Sequence, residues 1–342
     1  MTDTLRIYSG RNRPDLKPIY AMYEELTGRA VEMIHIPSED VYDRIIAEKN
    51  DPQVDLLVTN TQVMPELVRP EGVFEPYRAS VAVDYDPWLR AEDFSWLSFT
   101  VWPRTAMINW RVLGQDGSRW PTRIEDFLSP ELRDATLCSS AGETMMTSYF
   151  AALRVTRGDE WVEKLVDGLL ANGMRIYRSN IDCRNALVRE GYAATLANGS
   201  NTHAFFLEGH PVGEAWLDQG EGEVGTLIEA HTVAVLKGAR NPEAARDFID
   251  FLLSREIQEF LARLYGETPV NSAARVDWLR PTSSIRRIPA TLDQIAPLVA
   301  STETMLRAKG FDVGAVTEEN RRFISVGRTG RRDDREPGGK AA

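Results

Sequence analysis

Two hydrophobic periods alternate along the chain. LRIYS at positions 5–9 is a short apolar run ending at Gly10, and Leu16, Ile19, Tyr20, Tyr23 and Leu26 then recur at helical spacing. Gly28 stands where such a helix stops. Residues 31–36 form a second strand rich in β-branched side chains. Ser38 then caps a helix carrying Val41, Ile45 and Ile46, and residues 55–59 make a third strand running into Asn60. Strand–helix–strand alternation of this kind predicts a parallel sheet with right-handed crossovers.

The middle of the chain repeats the pattern. Strands are expected at 105–109, 135–138 and 193–196, and helices at 124–128, 143–154, 161–170 and 183–190. Two successive α/β units imply two lobes rather than one large sheet. TLIEAHTVAVL at 226–236 reads as a long strand, suited to a chain crossing back to its first lobe. A helix follows at 242–264, with Ala245, Phe248, Ile249, Phe251 and Leu252 on its apolar face. The tail from Gly327 is polar and glycine-rich, which predicts disorder.

Composition narrows the function. The 342 residues suffice for two ordinary domains, and 40 Lys+Arg against 51 Asp+Glu give a formal net charge of -11. That balance opposes general nucleic-acid binding, which needs a basic footprint, but a local cleft can still be positive. No run approaches the roughly 20 apolar residues of a membrane span. MTDTLRIYSG has neither a basic n-region nor an apolar h-region, which leaves a cytoplasmic chain or one whose leader has been removed. Cys138 and Cys183 are too few for a disulfide framework; they read as two small buried thiols, with pairing as the alternative.

Ligands of parallel α/β sheets bind beyond the carboxyl ends of the strands. The loops at those places are polar: Ser9-Gly10-Arg11-Asn12, Thr59-Asn60, Ser139-Ser140-Ala141-Gly142-Glu143-Thr144, Ser179-Asn180 and Asn198-Gly199-Ser200-Asn201-Thr202. Hydroxyls, a glycine and free N–H groups around Ser139, Ser140, Gly142 and Thr144 suit an anion, with capping of the next helix as the plain alternative. Glu143 suits an ammonium or hydroxyl. Arg11, after a strand-end glycine, and Arg104, after Pro103, are candidates for bidentate recognition of phosphate, phosphonate or carboxylate.

Catalytic and metal signatures are sparse. There is no GxSxG, HExxH, GxxxxGK[ST] or GxGxxG, and His35, His203, His210 and His231 have no metal-ligand spacing. Neither an enzyme, a metal centre nor a cofactor is expected. The best acid–base pair is Glu143 with His231 or Asp182.

Five segments, in order over most of residues 4–272, carry a family likeness: LRIYSGRN with LTGRAVE; DLLVTN and GVFEPY; RTAMINWRVL; SSAGETMMTSYFAAL; and NPEAARDFIDFLLSREIQEFLARLYGETPVN. In them the chain resembles periplasmic solute-binding proteins of the type II fold, in the branch that includes ferric-ion-binding proteins. The resemblance implies an α/β protein of two lobes, each a mainly parallel sheet flanked by helices, joined by two crossing strands. Residues 1–102 and 228–275 would form one lobe, 103–227 and 276–326 the other, and 327–342 the tail. It implies a periplasmic, monomeric receptor that closes on a small-molecule solute and delivers it to the membrane permease of an ABC importer.

The chain departs from the ferric pattern at the iron ligands. Asn12 stands where that pattern has histidine, and Ser200 and Asn201 where it has adjacent tyrosines. Serine and asparagine are poor ligands for ferric iron. The expected solute is a small polar, anionic organic molecule held by Arg11, Asn12, Thr59, Asn60, Arg104, the Ser139–Thr144 loop, Asn180, Ser200 and Asn201. Relatives in this branch serve phosphorylated sugars and aminoalkylphosphonates. The alternatives are ferric iron held by other ligands, a cytoplasmic ligand-sensing module on the same fold, and an enzyme on a two-lobed scaffold.

Overall fold

The computed structural model describes residues 4–10, 16–36 and 40–313. Strands β1 (Leu5–Ser9), β2 (Val31–His35) and β3 (Leu56–Thr59) pair in parallel in the order β2-β1-β3. Helices α1 (Lys17–Thr27) and α2 (Val41–Ala47) connect them, and α3 (Val63–Val68) follows β3. Gly28 ends α1 with φ 71°, as its position predicted. Leu26, however, is exposed, because the rings of a later helix cover Tyr20 and Tyr23 and leave the last turn bare. Ser38 lies outside the described residues, as does the tail 327–342.

After the two-residue strand β4 (Phe74–Glu75) comes β5 (Leu97–Asn109), buried along its whole length. The sequence pattern located only 105–109 of it, because Pro103 interrupts the run and proline usually demotes a strand. Beyond α4 (Trp110–Leu113), the β-α alternation resumes with β6 (Thr136–Ser139), α5 (Thr144–Arg157), α6 (Asp159–Ala171), β7 (Arg175–Tyr177), α7 (Asn180–Arg189), β8 (Ala194–Asn198), α8 (Gly199–Leu207) and β9 (Val212–Ala215). The helix expected at 124–128 is a 3-10 turn. The chain then enters β10 (Ile228–Leu236), followed by α9 (Pro242–Leu253), α10 (Arg255–Tyr265), β11 (Thr268–Pro269), α11 (Leu292–Ile295) and α12 (Val299–Ala308). The single helix expected at 242–264 is therefore two. Ser254 is extended (φ -63°, ψ 151°) and its hydroxyl donates to Phe251 O at 2.7 Å, a local bond that competes with helical continuation.

The strands run β2-β1-β3-β10-β5-β8-β6-β7. Both ends are parallel trios, β2-β1-β3 and β7-β6-β8, and the strands between them are antiparallel. β5 belongs to both halves: its residues through Pro103 pair with β10, and from Arg104 onward with β8. The return crossing lies beside it. Thr226 bridges to Arg287, Arg104 N donates to Leu227 O at 2.8 Å, and β10 begins at Ile228.

Each half has its own apolar core. One packs α1 and α9 on β1, β3 and β10, where Tyr23 and Phe248 meet edge to face at 5.1 Å. The other packs α5, α6 and α12 against β6 and β8, around Phe150 and Phe311. Full burial of each such ring contributes about 1.5–3 kcal/mol. Cys138 and Cys183 are buried free thiols, and Cys138 Sγ points at Met146 Sδ.

Candidate functional site

The side chain of Arg104, at the point where β5 changes partners, is 1% exposed. Its Nε, Nη1 and Nη2 have no hydrogen-bond partner among the described residues. Each unsatisfied buried donor costs about 1–3 kcal/mol, more for a charged group. Burial pulls the guanidinium pKa down, while the charge of Glu229 and more weakly those of Cys138, Tyr149 and Glu143 oppose this. The Trp102 ring stands 5.6 Å from its carbon. An arginine so placed has donors for which the described residues supply no acceptor.

Three helix starts converge around it, because β6, β7 and β8 all end on the same side in parallel register. Asn198 faces Arg104 across the β5–β8 ladder and donates to Met145 Sδ at 3.2 Å, while its Oδ1 has no partner among the described residues. It is the N-cap of α8 without a side-chain cap bond, so the first N–H groups of that helix stay uncapped by side chains. Gly199, Ser200, Asn201 and Thr202 are buried in its first turn, and Asn201 Oδ1 and Thr202 Oγ1 have no partner among the described residues. A Cβ on Gly199 would lie 2.4 Å from Glu214 Oε1 and 3.0 Å from Pro103, so any larger residue there must displace the Glu214 side chain.

The Ser139–Thr144 loop completes that side. Neither serine caps α5; its N-cap is Glu143, without a side-chain cap bond. Ser139 Oγ reaches Asn180 Oδ1 at 3.4 Å, Asn180 Nδ2 has no partner among the described residues, and Ser140 Oγ makes a long contact with Arg178 O at 3.4 Å. Both hydroxyls are buried and weakly engaged. Gly142 is exposed, and Glu143 and Thr144 are half-buried at the loop's edge.

On the other side, Thr59 is committed to the fold through Thr61 O (2.8 Å) and Thr232 Oγ1 (2.6 Å). Asn60 Nδ2 donates to Gly10 O, and Asn60 O accepts from Trp102 Nε1, fixing the loop after β3 against β1 and β5. Arg11 and Asn12 lie outside the described residues.

Sequence reasoning missed Glu229. It sits on β10 opposite Trp102, and its Oε1 accepts from Thr61 at 2.8 Å while Oε2 is buried with no hydrogen-bond partner among the described residues. Burial pushes its pKa up to about 7, against the lowering effects of Thr61, Arg104 and Ser148. The available signal was a carboxylate inside the otherwise apolar run TLIEAHTVAVL. Glu214 is similar, raised to about 7 by burial although Thr105 donates to it at 3.0 Å.

Residues 51–289 match the model of a family described as bacterial extracellular solute-binding protein. Iron uptake protein A1 of Synechocystis is 25% identical over 317 residues, 90% of this chain and 87% of that protein. The iron-bound HitA of Pseudomonas aeruginosa shares the fold with a TM-score of 0.79 at 20% identity, covering 90% of this chain and 99% of that one. The periplasmic binding protein AfuA of Actinobacillus pleuropneumoniae, solved with fructose-6-phosphate, has a TM-score of 0.76 at 20% identity, with 90% and 98% covered.

Proposed function

This chain belongs to the bacterial extracellular solute-binding proteins, and within that family we propose that it is the receptor for an anionic organic solute gripped by Arg104. The observation that carries this reading is the buried guanidinium, whose three nitrogens have no hydrogen-bond partner among the described residues. A phosphate, phosphonate or carboxylate would accept from it, with Ser139, Ser140, Asn180 and the uncapped first turn of α8 supplying neutral donors. β5 and the Thr226–Ile228 return are where the two halves meet, so a solute bridging them would favour a closed state for a membrane permease of an ABC importer to recognise. The expected setting is periplasmic.

A binding role rather than catalysis fits the committed partners of the titratable groups. His231 Nδ1 lies 2.9 Å from Thr100 Oγ1, which donates to Glu267, and Asp182 Oδ2 accepts from Ser179. Neither is held ready for acid–base work with Glu143.

The competing reading is ferric iron, which the names of several relatives carry. The side chains at the start of α8 are neutral serine, asparagine and threonine, and a buried arginine at the centre repels a trivalent cation. A thermal-shift comparison separates the two. A ligand at 100 times its Kd stabilises the native state by about 2.7 kcal/mol. Stabilisation by phosphate esters, phosphonates or carboxylates but not by ferric iron is the expected result; stabilisation by iron alone would overturn it.

A further inference from the structure

A separate cavity of about 620 Å³ lies between the start of α3, the segment around Trp88 and the chain from Arg287 to α11. That volume is within the range of small-molecule pockets, about 300–1,000 Å³. Glu229 and Ser148 line its inner end. The Ser148 hydroxyl has one proton and donates it to Thr144 O at 2.8 Å, and the Thr61 proton goes to Glu229 Oε1. The Ser148 hydroxyl is near enough to lower the Glu229 pKa, but with its proton on Thr144 O it leaves Glu229 Oε2 buried and without a hydrogen-bond partner among the described residues.

At the opposite wall the Arg287 guanidinium lies flat on Trp88, 3.8 Å from the ring centroid. It makes no hydrogen bond to a described residue, and Asp86 acts on it only as a nearby charge. The Trp88 backbone is held by Gln62 Nε2 at 2.5 Å, so the stacking platform is fixed. Arg287 bridges to Thr226, three residues before Glu229 along an extended chain, which puts the two backbones about 10 Å apart. The remaining charges on the lining leave one negative in excess: Glu66 pairs with Arg69, and Arg90 shares the lining with Glu92 and Asp293.

We propose that this cavity is a second solute site, taking a small zwitterion with its ammonium group on Glu229 Oε2 and its anionic group on Arg287. Glu229 also offsets the buried charge of Arg104. An ammonium on Glu229 diminishes that offset and leaves Arg104 a stronger anion receptor, and the coupling is reciprocal. The coupling rests on the reading of Arg104 as the anion site; the zwitterion site does not.

The test is calorimetric titration of the full chain with glycine, β-alanine, 4-aminobutanoate and 5-aminopentanoate. Wild type is expected to bind at least one saturably, at least tenfold more weakly in both Glu229→Gln and Arg287→Gln, with binding retained in Arg104→Gln. Arg287 is half-exposed, so its variant folds even if the buried substitutions do not, and melting curves check each. No binding by any of the four overturns the proposal. So does loss in only one of the two variants, or retention in both with loss in Arg104→Gln. Failure of the Arg104 reading shows separately, as inorganic phosphate that neither binds nor shifts melting while the amino-acid titration is unchanged.

Discussion

Arg104 and Asn198 face each other across the β5–β8 ladder, and both side chains, though buried, carry polar atoms with no partner among the described residues. One is a donor and the other an acceptor, yet they do not satisfy each other. The pair is the centre of the proposed anion site and the source of the clearest consequences.

Replacing Arg104 with methionine removes the buried charge while keeping an unbranched stem. Ligand-free protein should melt at nearly the same temperature, since removal of the unsatisfied buried donors is opposed by loss of the charge that offsets Glu229. Solute affinity should fall at least tenfold. A variant that melts much lower in the absence of solute would show that Arg104 is structurally partnered after all.

Ser140→Ala and Arg11→Ala should each weaken solute binding by about 1–3 kcal/mol, the cost of one charge-assisted hydrogen bond, without loss of folding. Calorimetry on both variants checks this. Unchanged affinity in both would place the solute elsewhere.

Gly199→Ala should destabilise the protein by about 1–3 kcal/mol, because its methyl group collides with Glu214 Oε1 and Pro103. Urea midpoints measure it. Adding Glu214→Ala should recover part of the loss, since the closest obstacle is the end of that side chain; an additive double mutant would locate the strain in Pro103 alone.

Glu214 is raised by burial from 4.5 to about 7. A carboxyl with a raised folded-state pKa holds its proton better when folded, so its stabilising effect is full below pH about 4.5 and is lost as pH rises to about 7. The shift corresponds to roughly 3 kcal/mol. Melting curves of wild type and Glu214→Gln should therefore diverge steadily over that window, with the variant flatter. Glu229 adds to the wild-type slope in the same sense.

The sequence determined the alternation of strands and helices, because periods of 2 and 3.6 and the stops at Gly10 and Gly28 are local properties. It also determined which loops are polar, and it singled out Arg104, Ser140 and Asn180, since strand ends followed by serine, asparagine or glycine are visible in one dimension. The length of β5 was not visible. Pro103 is tolerated in mid-strand because the ladder changes partners beside it. The split of α9 from α10 at Ser254 turned on the backbone angles of one residue. Which of the polar loop residues are satisfied was decided by the fold alone. The same holds on the strands: Thr59 and Glu229 look equally polar in the sequence, yet packing engages the hydroxyl of one and leaves an oxygen of the other without a donor among the described residues. Hydrogen-bond satisfaction depends on neighbours as distant as Thr59 and Thr232, and only tertiary structure brings those together.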